Sequence, residues 1–194
     1  NNYGGRTESN IATGIYLLIR FSGLLSISGP VIVSTATLSL YKNAGGSAGT
    51  IELRRLLRNW IEGTLNGADR SGDSPYSCCW NEYGSENTWT TAGALSDGND
   101  RVASSSATMS IATTTGQYYD SGNLCADVED FINGDASNYG WHCYTTIATY
   151  GAYFRMKDYG SSGTRPYLTV TYTEGGGATA VPVFVHHLRQ QGVM

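Results

Sequence analysis

The chain has 194 residues, a formal net charge of −4 and only 14% charged side chains. That length can bury one sizeable core and leave a short appendage. The acidic balance argues against a general nucleic-acid binder, which carries a basic face, and no apolar run approaches the roughly 20 residues of a membrane-spanning helix.

Glycine, serine, threonine and tyrosine are abundant, which favours pleated structure with many turns over helical bundles. A neutral, hydroxyl-rich surface fits a secreted protein, or one carried on a particle or filament. In chain order, "GIYLLIRFSGL" (Gly14–Leu24) alternates and predicts a strand burying Ile15, Leu17, Ile19 and Phe21. "SGP" at Ser28–Pro30 is a break, after which "VIVSTATLSLYKN" predicts a second strand with Ala36, Leu38 and Leu40 on one face. "TIELRRLLRNW" (Thr50–Trp60) reads as a further strand in this context, although a helix is also compatible with it.

From Glu62 to about Asp100 regular patterning gives way to Gly, Ser, Asp and Asn interleaved with Tyr76, Trp80, Tyr83 and Trp89. A loop this long is expected to be functional or pinned. "SATMSIAT" resumes as a strand, and "NLCADVEDFINGD" (Asn123–Asp135) places Leu124, Val128, Phe131 and Ile132 at helical spacing with Gly134 just past the end. "GWHCYTTIA", "AYFRMKD" and "RPYLTVTYTE" are three more expected strands. The predicted fold is therefore all-β, a two-sheet, jelly-roll-like β-sandwich with one short helix. It spans residues 1–174, followed by a glycine-rich linker at 175–179. A β-prone extension at 180–194 completes the chain.

The four cysteines, Cys78, Cys79, Cys125 and Cys143, predict up to two disulfides in an extracellular setting. Adjacent cysteines strain the peptide between them when they bond, so Cys78 and Cys79 are expected to reach Cys125 and Cys143 separately. Free thiols are the alternative; a zinc site lacks the short paired arms it needs.

No nucleophile, zincin or phosphate-loop pattern is present, and no enzyme is predicted. Glu62 has Asp69 and Asp73 as carboxylate company, but a turn residue bonding backbone amides is the stronger reading. Asp97, Asn99 and Asp100 in "SDGND" are hard oxygen donors suited to Ca²⁺, without a complete EF-hand pattern; a solvated acidic turn is the plainer alternative. Trp80, Tyr83 and Trp89, or Tyr118 and Tyr119, could form a glycan platform, or the loop tryptophans could pack into a small core of their own. Arg54 and Arg58 in "ELRRLLR" could clamp an acidic sugar or simply face solvent. His186 and His187 point to opposite faces of any strand, which makes them a poor metal pair.

Several segments taken together resemble the DNRLRE family of extracellular β-sandwich domains, itself similar to alginate-type carbohydrate-binding modules. They are "NNYGG" (Asn1–Gly5), "YLLIRFSGL", "STATLSLY", "NWIEGT" (Asn59–Thr64), "ADVEDFINGD", "NYGWHCY" and "TRPYLTVTY", covering Asn1 to Tyr172 in order. "TWTTAGALSDGNDR" (Thr88–Arg101) is also similar to versions of the domain in phage structural proteins. The resemblance implies a strand ahead of the Asn-Tyr-Gly segment, and in this chain a spare β-prone run, Ala180–Val185, lies beyond the usual last strand. The expectation is a structural or adhesive subunit of a virion (decoration protein or fibre) or a surface filament. It would assemble through Val181, Val183, Phe184 and Val185 paired to a sheet edge of its own or a neighbouring subunit. The competing expectation is a carbohydrate-binding module of a secreted polysaccharide-degrading system.

Overall fold

A computed structural model of the chain describes residues 5–65, 77–146, 151–175 and, as backbone, 183–189. Chain order begins with β1 (Glu8–Ala12), β2 (Leu17–Ile19), β3 (Val31–Ala44) and β4 (Gly49–Arg55). A small hairpin, β5 (Glu82–Gly84) and β6 (Asn87–Thr88), precedes β7 (Ala107–Ile111) and β8 (Gln117–Asp120). Helix α1 (Cys125–Asn133) then leads to β9 (Trp141–Tyr144), β10 (Gly151–Arg155), β11 (Tyr167–Glu174) and β12 (Val183–Arg189).

Two antiparallel sheets form the sandwich. One runs β1-β10-β3-β11-β12 with β8 also paired to β3, and the other runs β2-β9-β4-β7. Ser39 pairs with Tyr167 on one side and Asp120 on the other, while Lys42 pairs with Phe154 and Gln117. β10 and β11 therefore follow one another along one edge of β3, and β8 takes part of the opposite edge. The inner faces of both sheets meet in a single core that includes Leu17, Ile19, Leu38, Leu53, Met109, Trp141, Phe154 and Val170.

β3 shows how local detail overrides simple alternation. Val31 and Val33 face inward, then Ala36, Leu38 and Leu40 do, so the buried parity changes. The cause is a bulge: Thr171 pairs with Thr35 and Tyr172 with Val33, leaving Ser34 as the extra residue. The hydroxyl of Ser34 donates to Thr171 O at 3.0 Å.

Helix α1 covers the part of the β3 edge that β8 does not reach. Its Glu129 Oε2 accepts from Val33 N at 2.7 Å and its Asn133 Oδ1 from Val31 N at 2.8 Å, two side chains one helical turn apart. An edge whose N–H groups are already satisfied cannot recruit another strand there. On another side of the helix Asp130 and Asp127 meet Arg55 of β4 at 2.6 and 3.6 Å, and Asp127 accepts the Trp141 indole N–H at 2.7 Å. The helix thus ties both sheets together. Gly134 ends it at φ 82°, the left-handed conformation glycine adopts without strain.

The strand expected over Gly14–Leu24 is reduced to Leu17–Ile19, followed by a 3-10 turn at Ser22–Ser26. All three strand residues are buried, because Leu18 faces a second core on the outside of the sheet. That second core contains Leu18, Leu56, Trp60, Cys78, Trp89 and Ala94, with Tyr83 and Tyr139 against it. Cys78, Trp89 and Ala94 come from the stretch expected to be one long loop, whose residues 77–100 fold onto the outer face of β2 and β9 around the β5–β6 hairpin. The short, polar β1 and β8 were not anticipated; neither has an alternating apolar run to reveal it.

The expected disulfides are absent: all four cysteines are free. Cys143 lies in the main core on β9 and Cys78 in the second core, while Cys125 opens the helix. The β-sheet through Leu18 separates the two cores, so the thiols that sequence spacing invites to pair are held apart by tertiary structure.

Candidate functional site

The outer face of the β2-β9-β4 sheet carries a dense cluster of polar and aromatic side chains. The strand registers align Leu18 with His142 and Arg54, and Tyr144 with Glu52. Alternation sends these residues away from the core, and Tyr16, just before β2, has the same parity as Leu18. The loop after β6 adds Asp97 and Arg101, anchored by a bridge between Leu56 and Arg101.

Here Arg101 Nη1 lies 2.8 Å from His142 Nδ1. A guanidinium only donates, so Nδ1 is the acceptor and the imidazole proton sits on Nε2. Burial, then the Arg101 and Arg54 cations, holds the His142 pKa well below its ordinary value, and the ring is neutral. Its Nε2 has no hydrogen-bond partner among the described residues. Arg101 Nε donates to Asp97 Oδ1 at 2.8 Å and Arg54 Nη1 to Asp97 Oδ2 at 2.9 Å. These bonds, Arg101's first, hold the Asp97 carboxyl below the usual carboxylate range. Glu52 Oε2 accepts from Arg54 Nη2 at 3.2 Å and from the Tyr144 hydroxyl at 2.8 Å. Burial, reinforced by that bond to Glu52, pushes the Tyr144 phenol up to about 12. Two guanidinium groups and two carboxylates therefore cancel around a neutral imidazole.

Aromatic rings cover this network. The Tyr144 ring stacks on His142 at 5.2 Å and lies under the Arg101 guanidinium at 4.5 Å. Tyr16 meets His142 edge-on at 5.0 Å, and Trp80 stacks on Tyr16 at 5.5 Å with an interplanar angle of 25°. Gly93 lets Trp80 lie there. A Cβ at that position would come within 2.9 Å of the indole ring and 3.2 Å of the Tyr16 ring, and its φ of +79° also favours glycine.

The residues expected to bind glycan divide into two groups. Trp80 is 43% exposed and joins this cluster, as does Arg54. Tyr83 and Trp89 pack on each other at 5.3 Å in the second core, where the Trp89 indole N–H donates to Cys79 O at 3.1 Å. Arg58 lies over Tyr83 at 6.0 Å. Tyr83 and Trp89 thus sit in the loop's own core, whereas the Arg58 side chain stays 42% exposed. Tyr118 and Tyr119 are on the other sheet, in β8; Tyr119 is in the main core and Tyr118 contacts Tyr41 and Tyr167. Arg54, engaged with Glu52, Asp97 and the Ala103 carbonyl at 2.6 Å, has little left for an acidic sugar.

The three residues expected to hold Ca²⁺ each have partners within the protein. Asp97 is paired to two arginines, and Asn99 donates to the Ser96 hydroxyl at 3.1 Å. Asp100 is fully buried and accepts from the amides of Thr90, Thr91 and Ser96 at 2.9, 3.0 and 3.3 Å. Among the described residues no group of three or more His, Cys, Asp or Glu side chains is placed to hold a metal ion. Glu62 pairs with Lys157 at 3.5 Å.

No protein-family model, curated protein or solved structure matches the chain. Its site must be read from its own geometry. Tyr16, Glu52, Arg101, His142 and Tyr144 were not singled out from sequence. The available signal was parity: His142 and Tyr144 alternate with the apolar Trp141 and Cys143, and Glu52 and Arg54 alternate with Ile51 and Leu53. That pattern marks an outer face, but it does not say which loop covers it.

At the C-terminus, β12 pairs with β11 of its own chain from Tyr167↔Arg189 to Thr173↔Val183. The strand is shifted toward the C-terminus relative to the expected Ala180–Val185, and Val181 lies outside the described residues. Phe184, His186 and Leu188 pair with Tyr172, Val170 and Leu168, whose own side chains face the core. Val183 and Val185 occupy the alternate register positions, opposite Thr173 and Thr171.

Proposed function

We propose that the chain is a non-enzymatic extracellular structural or adhesive subunit, of a virion surface or a surface filament, that assembles by exchanging its C-terminal strand. One observation carries the reading: β12 supplies a seven-residue strand at the edge of the sheet, paired along its length to β11. It follows a glycine-rich segment, Gly175–Gly177. A neighbour's β12 can make the same ladder, so closed and exchanged forms differ little in the contacts they contain.

The balance between the two forms is then one of concentration. A short tether holds its own strand at an effective concentration on the order of millimolar. Exchange gains ground where subunits are packed at comparable local density, as on a particle or along a filament. The resemblance to the DNRLRE family and to phage structural domains supports the same extracellular setting.

The test uses Thr169 and His187, which face each other in the ladder. Subunits carrying only T169C are mixed with subunits carrying only H187C under assembly conditions, and the cross-linked species are identified by mass. A disulfide between these two engineered positions on different chains supports exchange. A native mass that remains monomeric at all concentrations, with no such cross-link, refutes it.

A further inference from the structure

Beyond assembly, we infer that Tyr16 and Trp80 form a binding platform for a neutral pyranose ring of a polysaccharide. Tryptophan chemistry singles out the place. Trp60, Trp89 and Trp141 are buried, and their indole N–H groups donate to Tyr139 O, Cys79 O and Asp127 Oδ2 at 2.8, 3.1 and 2.7 Å. Trp80 is the exposed one of the four, and its indole N–H has no hydrogen-bond partner among the described residues. The Tyr16 hydroxyl likewise has none among them. A ring face with a free N–H and a free phenol beside it offers what a sugar needs: apolar contact for the C–H face and hydrogen bonds for the hydroxyls.

The platform is held in place before any ligand arrives. Gly93 N donates to Trp80 O at 2.6 Å, Gly93 itself abuts the indole ring, and Tyr16 backs it from below. Tyr16 in turn rests against His142 and, at 6.2 Å, against Tyr144, both buried. An exposed aromatic side chain immobilised in advance loses little freedom on binding. Thr90 and Thr91, both exposed, and Asn81 add polar groups to the same loop region.

Charge narrows the ligand class. The network beneath the platform is neutral, since Arg54 and Arg101 are matched by Glu52 and Asp97 and His142 is uncharged. No arginine there is left over for a uronate or sulfate, so a neutral sugar fits and an acidic one lacks its counter-charge.

The experiment is affinity electrophoresis of the full chain through gels containing xyloglucan, mixed-linkage β-glucan, xylan or galactomannan, with alginate and pectate as the charged arm. At least one neutral polymer should retard the wild-type protein, and Trp80→Ala should weaken that retention about tenfold or more, the scale of losing a central aromatic anchor. Acrylamide quenching provides a readout that needs no variant: with the other three tryptophans buried, quenching reports Trp80, and the bound polymer should shield it. Failure of every neutral polymer to bind, binding confined to alginate or pectate, or retention unchanged in Trp80→Ala with no shielding would each overturn the inference. None of these outcomes depends on whether β12 is exchanged.

Discussion

Replacing Asp100 by alanine tests whether the "SDGND" turn is a structural clamp. The Asp100 side chain is fully buried and its two oxygens accept three backbone N–H groups, with Arg58 Nε a further 4.0 Å away. A hydrogen bond to a charged group contributes about 1.5–3 kcal/mol net. Three would sum to far more than is realistic, because Thr90 and Thr91 are exposed and their amides can turn to water. Counting the equivalent of a little more than one bond gives a loss of about 2–4 kcal/mol for D100A, a large share of the roughly 5–15 kcal/mol that holds a domain together. At this chain length each kcal/mol moves the melting temperature by about 2–4 °C, so a drop of about 5–15 °C is expected. D100N, which keeps one carbonyl oxygen, should fall between the two. Urea unfolding measures the global effect, and hydrogen exchange at Thr90, Thr91 and Ser96 measures it locally. A D100A protein within about 0.5 kcal/mol of wild type, with unchanged exchange at these amides, would refute the clamp. Wild-type stabilisation by added Ca²⁺ that D100A abolishes would assign the residue to cation binding instead.

The neutral His142 predicts a pH profile. Its pKa is depressed by folding, so below about pH 6.5 the unfolded chain takes up a proton that the native state does not. Stability should therefore decline as pH falls from about 6.5, by up to about 1.4 kcal/mol per pH unit, and the decline should be smaller in H142Q. The depressed Asp97 acts in the same direction lower down: its contribution is present above about pH 4 and lost as pH falls through its folded-state value. Native-state alkylation should modify the half-buried Cys125 before Cys78 or Cys143, since both are fully buried and burial pushes the Cys143 thiol up; four titratable thiols in the unfolded, unreduced chain would match the free cysteines. Phe131→Ala removes a core ring that packs on Trp141 at 5.5 Å and should cost about 3–5 kcal/mol by urea unfolding.

Where side-chain periodicity alone controls the outcome, the sequence determined the structure. Alternation in β4 and in the second half of β3, and helical spacing from Leu124 to Ile132 closed by Gly134, specify those elements because each buried face repeats with the local backbone. The all-β sandwich follows from the number and spacing of such segments. Tertiary structure decided the rest. The bulge at Ser34 changes the buried parity of β3, and β1 and β8 become strands because β10 and the long β3 give their backbones somewhere to bond. The loop bearing Trp80 turns the outer face of β2 and β9 into a second interior. Tyr16, Arg101 and His142 are far apart in the chain, and only strand register and the fold of that loop bring them together. The same sheet keeps Cys78 and Cys143 in separate cores, since pairing two cysteines requires their backbones to approach, and spacing along a chain does not fix that distance.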